Sequence, residues 1–318
     1  MLKIGFVGFD KKTNTFIQII DNIVDKVEYS VYAPGLLTQV FASLKYVDSI
    51  EKLFECDAIL LTTQSYSNYE YMKILLTEYS GYILCEKSPF SEKAKYIDLI
   101  STCEGKQNKI LFNFNNRFGP YALALKSDVE KYSLGKLTSV SIVQGQGAAL
   151  QECFLGSIIN NREIYKQGVF ENYSLHYIDL LVYFFGVPVE YVHFSSSMSK
   201  YSKVIDNSLF SCKFKNEATA SIITSYTTPK VSIFNFVFEN GIIEFGGDKK
   251  IYGPREFFDE EALFAEPPLI LSERLPDDIY LFSLKRLLDY FIACIKEKDD
   301  IDDSLFITSR ESMKFLFK

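Results

Sequence analysis

Residues 3–13 read Lys-Ile-Gly-Phe-Val-Gly-Phe-Asp-Lys-Lys-Thr. A short apolar run reaches Gly8 and then gives way to an amphipathic stretch, which is the pattern of a strand that turns into a helix. At such a turn a G-x-G-x-x-G sequence lets backbone N–H groups hold a pyrophosphate. Gly8 has the position of the first glycine, whereas Asp10 and Thr13 have those of the second and third. The stretch therefore predicts a nucleotide-binding fold with an altered phosphate turn.

The first third of the chain alternates short apolar runs with helix-like segments. The predicted strands are Lys3–Phe9, Val27–Ala33, Ala58–Thr63, Tyr82–Cys85 and Lys109–Phe114. The predicted helices are Phe16–Asp25, Leu36–Leu44, Tyr69–Tyr79 and Ser91–Cys103. This alternation is typical of a parallel sheet covered on both faces, so we expect an α/β chain with a Rossmann-type doubly wound sheet over residues 1–118.

The pattern changes after Arg117, where strands begin to follow one another without intervening helices. The predicted strands are Leu137–Val143, Val189–Ser196, Ser208–Phe214, Thr219–Tyr226, Ile233–Glu239 and Ile242–Phe245. The predicted helices are Tyr121–Tyr132, Glu171–Phe185, Ile279–Lys296 and Ser304–Phe317. Consecutive strands pair antiparallel, so residues 119–318 are predicted to form an α+β domain on an open, mostly antiparallel sheet. Residues 256–276 are rich in acid and proline and predict a surface excursion.

Composition excludes several classes of function. The 318 residues carry a net charge of −7, which argues against nucleic acid or an anionic membrane as a partner. Two histidines and six scattered cysteines without a C-x-x-C pair predict no metal site and no disulfide framework, but reduced thiols in a cytoplasmic protein. No apolar stretch is long enough to predict a membrane span.

The altered turn leaves open whether, and through which contacts, the chain binds a dinucleotide. A carboxylate at Asp10 would repel a pyrophosphate, unless Lys11 or Lys12 turns inward or Asp10 points away. The acid expected at the end of the second strand, which would hold a ribose hydroxyl, is missing, because no Asp or Glu occurs between Glu28 and Asp48.

Three later stretches carry a resemblance to a known family. Glu86-Lys87-Ser88-Pro89 is similar to an E-K-P motif with one serine inserted, and residues 114–120, Phe-Asn-Asn-Arg-Phe-Gly-Pro, are similar to F-N-R-R-F-x-P. Residues 172–181, Asn-Tyr-Ser-Leu-His-Tyr-Ile-Asp-Leu-Leu, are similar to D-x-x-x-H-x-x-D-L-L. In this order and spacing they resemble the Gfo/Idh/MocA family, the sugar-type oxidoreductases named after glucose-fructose oxidoreductase, inositol dehydrogenase and a rhizopine-catabolism protein.

The resemblance implies an NAD- or NADP-dependent enzyme that moves a hydride between a nicotinamide and a hydroxyl of a sugar or nucleotide-linked sugar. It implies Lys87, His176 and Asn172 as catalytic residues, and these three with Arg117 as substrate-binding residues. The cofactor-binding residues it implies are Gly8, Phe9, Asp10, Thr62, Thr63, Gln64, Glu86 and Lys87. It also implies a homo-oligomer, either a dimer or a tetramer.

Asn172 departs from the family motif, which has Asp at this position. An amide can orient an imidazole or bind substrate but cannot accept a proton. The Asn form also resembles a branch of the family that oxidises nucleotide-linked sugars. The neighbouring carboxylate, Glu171, is rotated by about 100° from Asn172 on a regular helix, so it is a poor direct replacement.

Alternatives remain open for single residues and for the whole chain. Arg117 either contacts cofactor or substrate or joins the two domains through an ion pair, and His193 is interpreted as structural. The rival hypothesis is a non-catalytic family member that binds a sugar-like ligand or a partner and has weakened or lost dinucleotide binding. Asp10 and Thr13 favour that rival, whereas Lys87 with His176 favours an enzyme. A third possibility is an enzyme that grips its cofactor through unfamiliar contacts.

Overall fold

The computed structural model describes residues 1–34, 44–63, 65–90, 92–163, 166–253, 261 and 263–317. The chain divides into two compact units, Met1–Phe114 with Leu284–Lys318 and Asn115–Ser283. The prediction placed a single boundary at residue 118 and assigned all later residues to the second domain. In the structure, the segment from Leu284 onward instead belongs to the first unit.

The first unit contains a parallel sheet. Its described strands are β1 (Leu2–Val7), β2 (Val27–Tyr32), β3 (Lys45–Val47), β4 (Ala58–Leu61), β5 (Tyr82–Cys85) and β6 (Ile110–Phe112), and α1 (Lys11–Asp21), α2 (Ser65–Glu78) and α3 (Lys93–Thr102) alternate with them. The strand order is β3-β2-β1-β4-β5-β6, and every pair is parallel. Every residue of β4 and β5 is buried, as expected for strands covered on both faces. The predicted Rossmann-type sheet is confirmed.

Two details differ from the sequence prediction for this unit. The short strand β3 was not predicted, and three residues are too few for a clear apolar period. The predicted helix Leu36–Leu44 lies, up to residue 43, outside the described residues.

The C-terminal segment belongs to the first unit because it packs on that unit's sheet. The helix α7 (Asp303–Met313) lies against β6, where the rings of Phe306 and Phe112 are 5.8 Å apart. The Tyr82 hydroxyl donates a hydrogen bond of 2.8 Å to the carbonyl of Asp299. Amphipathic spacing predicts a helix in this segment, but it does not say which sheet the helix covers.

The second unit contains a mostly antiparallel sheet. Its described strands are β7 (Leu137–Gly145), β8 (Glu190–Ser196), β9 (Asn207–Lys213), β10 (Thr219–Ser225), β11 (Val231–Phe238), β12 (Gly241–Phe245), β13 (Asp248–Tyr252) and β14 (Leu269–Arg274). Their order is β14-β13-β12-β11-β7-β10-β9-β8, with only β7 and β10 parallel among these described pairs. The predicted open, mostly antiparallel sheet is confirmed.

One part of the predicted surface excursion is wrong, because residues 269–274 form β14 and pair with β13. The strand lies at the sheet edge and is mostly exposed, so its side chains do not show the alternation that marks a half-buried strand.

Helices α4 (Pro120–Lys131) and α5 (Leu175–Phe185) supply aromatic side chains to one face of this sheet. The ring of Tyr121 stacks on Phe234 at 4.2 Å, and Tyr177 meets the same phenylalanine edge-on at 5.2 Å. Along β9 and β11 buried and more exposed positions alternate, so the sheet has one core face. The remaining long helix, α6, spans Ile279–Glu297.

Within the described ranges, no helix combines the length and the apolar character needed to cross a membrane. The six cysteines are free thiols, and only Cys153 is exposed. Burial raises the pKa of Cys103 and of Cys212 to about 12, so these thiols stay protonated and unreactive near neutral pH.

A glycine turn fixes the entry to the helix that carries Asn172 and His176. Gly168 has φ +51°, and the next residue, Val169, donates its N–H to the carbonyl of Ile205 at 2.9 Å. A Cβ on Gly168 would lie 2.0 Å from that carbonyl oxygen. Only glycine fits, because both the backbone conformation and the space exclude a side chain.

We expect Gly168→Ala to lower the free energy of unfolding by about 2 kcal/mol, from the positive φ and the backbone clash together. Gly156→Ala is the matched control, since a Cβ there would meet nothing within 4 Å. Urea unfolding followed by circular dichroism measures both variants. Equal stability of the two would contradict the proposed strain at Gly168.

Candidate functional site

The turn after β1 brings three strand ends close together. Gly8 has φ +97°, and its N–H donates to the carbonyl of Tyr32 at the end of β2, at 2.8 Å. A Cβ on Gly8 would lie 2.5 Å from Thr63 Cγ2 and 2.9 Å from Thr63 N. The glycine thus allows the backbone after β1 to touch the backbone after β4, at the sheet edge where open α/β folds bind ligands.

Asp10 caps the helix that follows this turn. Its Oδ1 accepts hydrogen bonds from the backbone N–H of Lys12 at 2.8 Å and of Thr13 at 3.0 Å. In return, Thr13 Oγ1 accepts from the N–H of Asp10 at 3.2 Å, which completes a capping box. The carboxylate therefore faces the N-terminus of α1 and occupies two of its first-turn donors.

Thr13, at the position of the third glycine, ties α1 to the neighbouring strand. Its hydroxyl lies 2.8 Å from that of Thr62, which also donates to the carbonyl of Val7 at 3.2 Å. Both threonines are buried, so this contact is a fixed part of the core rather than a surface pairing. Thr62 was predicted as a cofactor contact, and its hydroxyl is already engaged within the protein.

Other predicted cofactor residues have varied surroundings. The ring of Phe9 packs edge-on against Tyr46, with centroids 6.2 Å apart. The Thr63 hydroxyl donates to Asn68 Oδ1. Gln64 lies outside the described residues. Their contacts with a cofactor stay predictions.

A second polar group lies where β5 and β6 end. Glu86 Oε2 lies 3.2 Å from Lys12 Nζ, and Glu86 Oε1 accepts from Asn113 Nδ2 at 2.9 Å. The backbone N–H of Asn113 donates to the carbonyl of Cys85 at 2.8 Å, which holds this asparagine against β5. Lys12 of α1 is thereby directed to Glu86, so charge from the helix and charge from the sheet meet at one edge.

Lys87 and Ser88 follow Glu86 at this edge and are both buried, with Lys87 7% exposed. Ser88 adopts φ +55°, which is uncommon for a residue with a side chain. Ser88 Oγ and Asn113 Oδ1 are buried and make no hydrogen bond within the described part of the chain. Buried polar atoms of this kind call for a partner, and a polar ligand at the strand ends would supply one.

In the second unit, the candidate residue Asn172 lies in a widened helical turn. Residues Phe170–Ser174 form a π-helix, in which the N–H of Leu175 bonds the carbonyl of Phe170, and α5 continues from it. A π-turn holds more residues per revolution than an α-turn, so Glu171 is rotated less from Asn172 than the 100° of a regular helix. The difference is small, so the expectation that Glu171 is a poor direct replacement stays a prediction. Glu171 is buried, and its neighbour Asn172 is half-buried.

A tyrosine that follows strand β10 binds the side chain of Asn172. Its Nδ2 donates to the hydroxyl of Tyr226, at 2.8 Å. Tyr226 is fully buried, and the rings of Phe154 and Tyr173 meet it edge-on, each at 5.6 Å. The amide nitrogen of Asn172 is thus turned towards β10, and its carbonyl oxygen points another way. Sequence reasoning missed Tyr226, because it lies 54 residues from Asn172 with no motif around it.

Arg117 is bound to the helix of the second unit. Its Nε donates to Asp179 Oδ2 at 2.6 Å and its Nη2 to Asp179 Oδ1, and both side chains are buried. The guanidinium also lies over the ring of Tyr183 at 4.9 Å. The pair joins the two domains as the sequence divided them at residue 118, whereas in the structure's division both residues belong to the second unit. Substrate binding by Arg117 stays a prediction.

The two histidines occupy different surroundings. His176 lies in the first turn of α5 and is half-buried. His193 on β8 stacks on Phe170 at 3.9 Å, and its Nε2 lies 3.2 Å from Ser208 Oγ. Burial lowers the pKa of His193, which favours its neutral form. These contacts agree with a structural role for His193.

The structure therefore brings the predicted residues together in two groups. Gly8, Asp10, Thr62, Thr63, Glu86 and Lys87 share the carboxyl edge of the first unit's sheet, and Arg117, Asn172 and His176 belong to the second unit. Among the described residues, no group of three or more His, Cys, Asp or Glu side chains could hold a metal ion.

Comparison with known proteins connects this architecture to one family. Residues 122–244 match the model of the GFO/IDH/MocA C-terminal domain. This match confirms the resemblance that the sequence motifs indicated. A search of curated proteins found no significant match.

Solved structures share the fold at low sequence identity. An apo levoglucosan dehydrogenase is 12% identical with a TM-score of 0.81, and the match covers 99% of this chain and 94% of that one. An NAD binding oxidoreductase from Klebsiella pneumoniae is 13% identical, with a TM-score of 0.80 and the same coverage. A myo-inositol dehydrogenase from Corynebacterium glutamicum is 15% identical with a TM-score of 0.73, covering 98% and 95%. These similarities establish the fold.

We expect Asp179→Ala to lower the free energy of unfolding by about 3–5 kcal/mol, because it leaves the buried charge of Arg117 without its partner. Asp277→Ala is the control, since it breaks an exposed pair with Arg274 and should change stability little. Thermal and urea unfolding measure both. A small effect of Asp179→Ala would mean that the Arg117 pair does not stabilise the second unit.

Proposed function

We propose that this chain, which carries the C-terminal domain of the Gfo/Idh/MocA family, is an NAD(P)-dependent oxidoreductase acting on a hydroxyl of a sugar or nucleotide-linked sugar. The observation that carries the proposal is the family match over residues 122–244, joined to a Rossmann-type sheet with Lys87 at the end of β5. The names of the solved relatives, which include a levoglucosan dehydrogenase in complex with NADH and L-sorbose, support this class of substrate and cofactor.

The first unit supports a dinucleotide through its backbone. Gly8 leaves space that a Cβ would fill, and the buried Ser88 Oγ and Asn113 Oδ1 would gain partners from a polar ligand. Residues Gly8, Thr63 and Glu86 would hold the cofactor at the strand ends, as such sheets do in general. When bound, the nicotinamide supplies the acceptor or donor of the hydride. Asp10 is the one residue of the turn that does not suit a pyrophosphate.

Lys87 has the charge and the position for activating a hydroxyl. It is buried at the strand end, where an ammonium group acts more strongly than in water. Its N–H donors would hold the reacting hydroxyl and stabilise the alkoxide that forms as the proton leaves. An alanine side chain at this position would provide neither a donor nor a charge for this stabilisation.

His176 would act as the general acid and base, as the resemblance implies, taking up a proton in one direction of the reaction and returning it in the other. An imidazole titrates near neutral pH, which suits a general acid and base. Asn172, with its amide nitrogen on Tyr226, would present its carbonyl oxygen as a hydrogen-bond acceptor. Asn172 thereby orients a donor group and takes no proton itself.

The first test of the proposal is cofactor binding. The purified protein is denatured and the supernatant analysed for NAD(H) and NADP(H), and the apo protein is then titrated with each by calorimetry. Either a released dinucleotide or a saturable titration supports the proposal. Absence of both, up to millimolar concentration, contradicts it and favours the non-catalytic rival.

We expect Lys87→Ala and His176→Ala each to lower kcat at least about 100-fold, because each removes a group that handles the proton or the alkoxide. Formation of NAD(P)H with a panel of sugars and nucleotide-linked sugars measures turnover. The cofactor affinity of His176→Ala should stay nearly unchanged. His193→Gln is the matched control and should retain activity. Loss of cofactor binding in His176→Ala would show that this residue has another role.

A further inference from the structure

We infer that the Asp10 carboxylate occupies the backbone donors at the N-terminus of α1 that would otherwise hold a pyrophosphate. A dinucleotide then binds only after this carboxylate has moved away from the helix end. The inference rests on the proposed function, since it concerns how the same cleft takes its cofactor. It assigns to one side chain the control of cofactor affinity.

The backbone donors of the first helical turn are the groups that hold a phosphate in this type of fold. Here two of them, the N–H groups of Lys12 and Thr13, are bonded to Asp10 Oδ1 at 2.8 and 3.0 Å. A pyrophosphate oxygen that takes either donor must displace the carboxylate. Asp10 and the pyrophosphate are both anions, so they cannot share these donors without repulsion.

Lys12, a lysine of the same turn, already has an ion-pair partner. Lys12 Nζ lies 3.2 Å from Glu86 Oε2, and Asn113 Nδ2 binds the other oxygen of Glu86 at 2.9 Å. Lys12 Nζ is therefore already paired with a carboxylate that follows β5.

A second observation indicates that a ligand belongs at this edge. Asn113 Oδ1 and Ser88 Oγ are buried and have no hydrogen-bond partner in the described part of the chain, although Asn113 is bonded through its Nδ2 and its backbone. Polar atoms of this kind normally find a partner. The edge is thus suited to a polar ligand, while the helix end beside it is closed by Asp10.

The Asp10 cap adds stability that binding would remove. The capping box satisfies donors that would otherwise be exposed to water, and its loss costs a helix some of its stability. Ligand binding must overcome both this loss and the repulsion, so the wild-type chain is expected to bind dinucleotides weakly and release them readily.

We expect Asp10→Gly to tighten the binding of NADH or NADPH by about tenfold or more, because the donors become available and a negative charge is removed. Glycine is tolerated at a helix N-cap, so the fold should persist. Isothermal titration calorimetry gives the dissociation constant, a readout independent of turnover. Asp10→Asn keeps the cap without the charge and should also bind more tightly than wild type, by a smaller factor.

Asp302→Gly is the matched control. Asp302 caps α7 through the N–H of Ser304 at 2.8 Å and is exposed, as Asp10 is, but it lies by Asn108 on the amino side of β6. This variant should lose a similar small amount of stability and leave cofactor affinity unchanged.

The outcomes separate the inference from the proposed function. Binding that is tighter than that of wild type in Asp10→Gly, but not in Asp302→Gly, supports the inference. A folded Asp10→Gly protein that binds with the affinity of wild type, or more weakly, overturns the inference and leaves the proposed function standing. Absence of binding in wild type and in Asp10→Gly, up to millimolar dinucleotide, overturns the inference and the proposed function together.

Discussion

The left-handed turn at Gly8 is the constraint on which the arrangement of the first unit's strand ends depends. A glycine with φ +97° lets the chain leave β1, bond to the end of β2 and pass within contact of Thr63 after β4. Because parallel strands end at one edge, this close approach gathers polar residues from three strands in one place. The two threonine hydroxyls of Thr13 and Thr62 then fix α1 against the sheet.

The turn between β1 and α1 has the strand, the glycine and the helix of a Rossmann-type fold. The residues at the other two positions of the G-x-G-x-x-G pattern, Asp10 and Thr13, make contacts within the chain. Asp10 supplies the anion that the helix end attracts, and Thr13 supplies a buried hydroxyl that bonds across to β4. Asp10 therefore satisfies two donors of the helix end from within the chain.

The second unit organises its candidate residues by different means. A π-turn opens the helix at Asn172, the Tyr226 hydroxyl orients the amide, and the Arg117–Asp179 pair anchors the following helix from within. The Asn172–Tyr226 hydrogen bond and the Arg117–Asp179 ion pair join residues far apart in the chain. They convert a sequence motif with an unusual Asn into a site with a defined donor and acceptor direction.

The sequence by itself determined both sheets, because apolar periodicity and the order of strands and helices follow from local patterns. It also indicated a resemblance to the Gfo/Idh/MocA family, through Lys87, Arg117 and His176 in their motifs. It did not determine the return of α7 to β6 or the hydrogen bond between Asn172 and Tyr226. Only the tertiary structure decided these, since they depend on which distant groups fill a space or satisfy a hydrogen bond, and no local pattern records that.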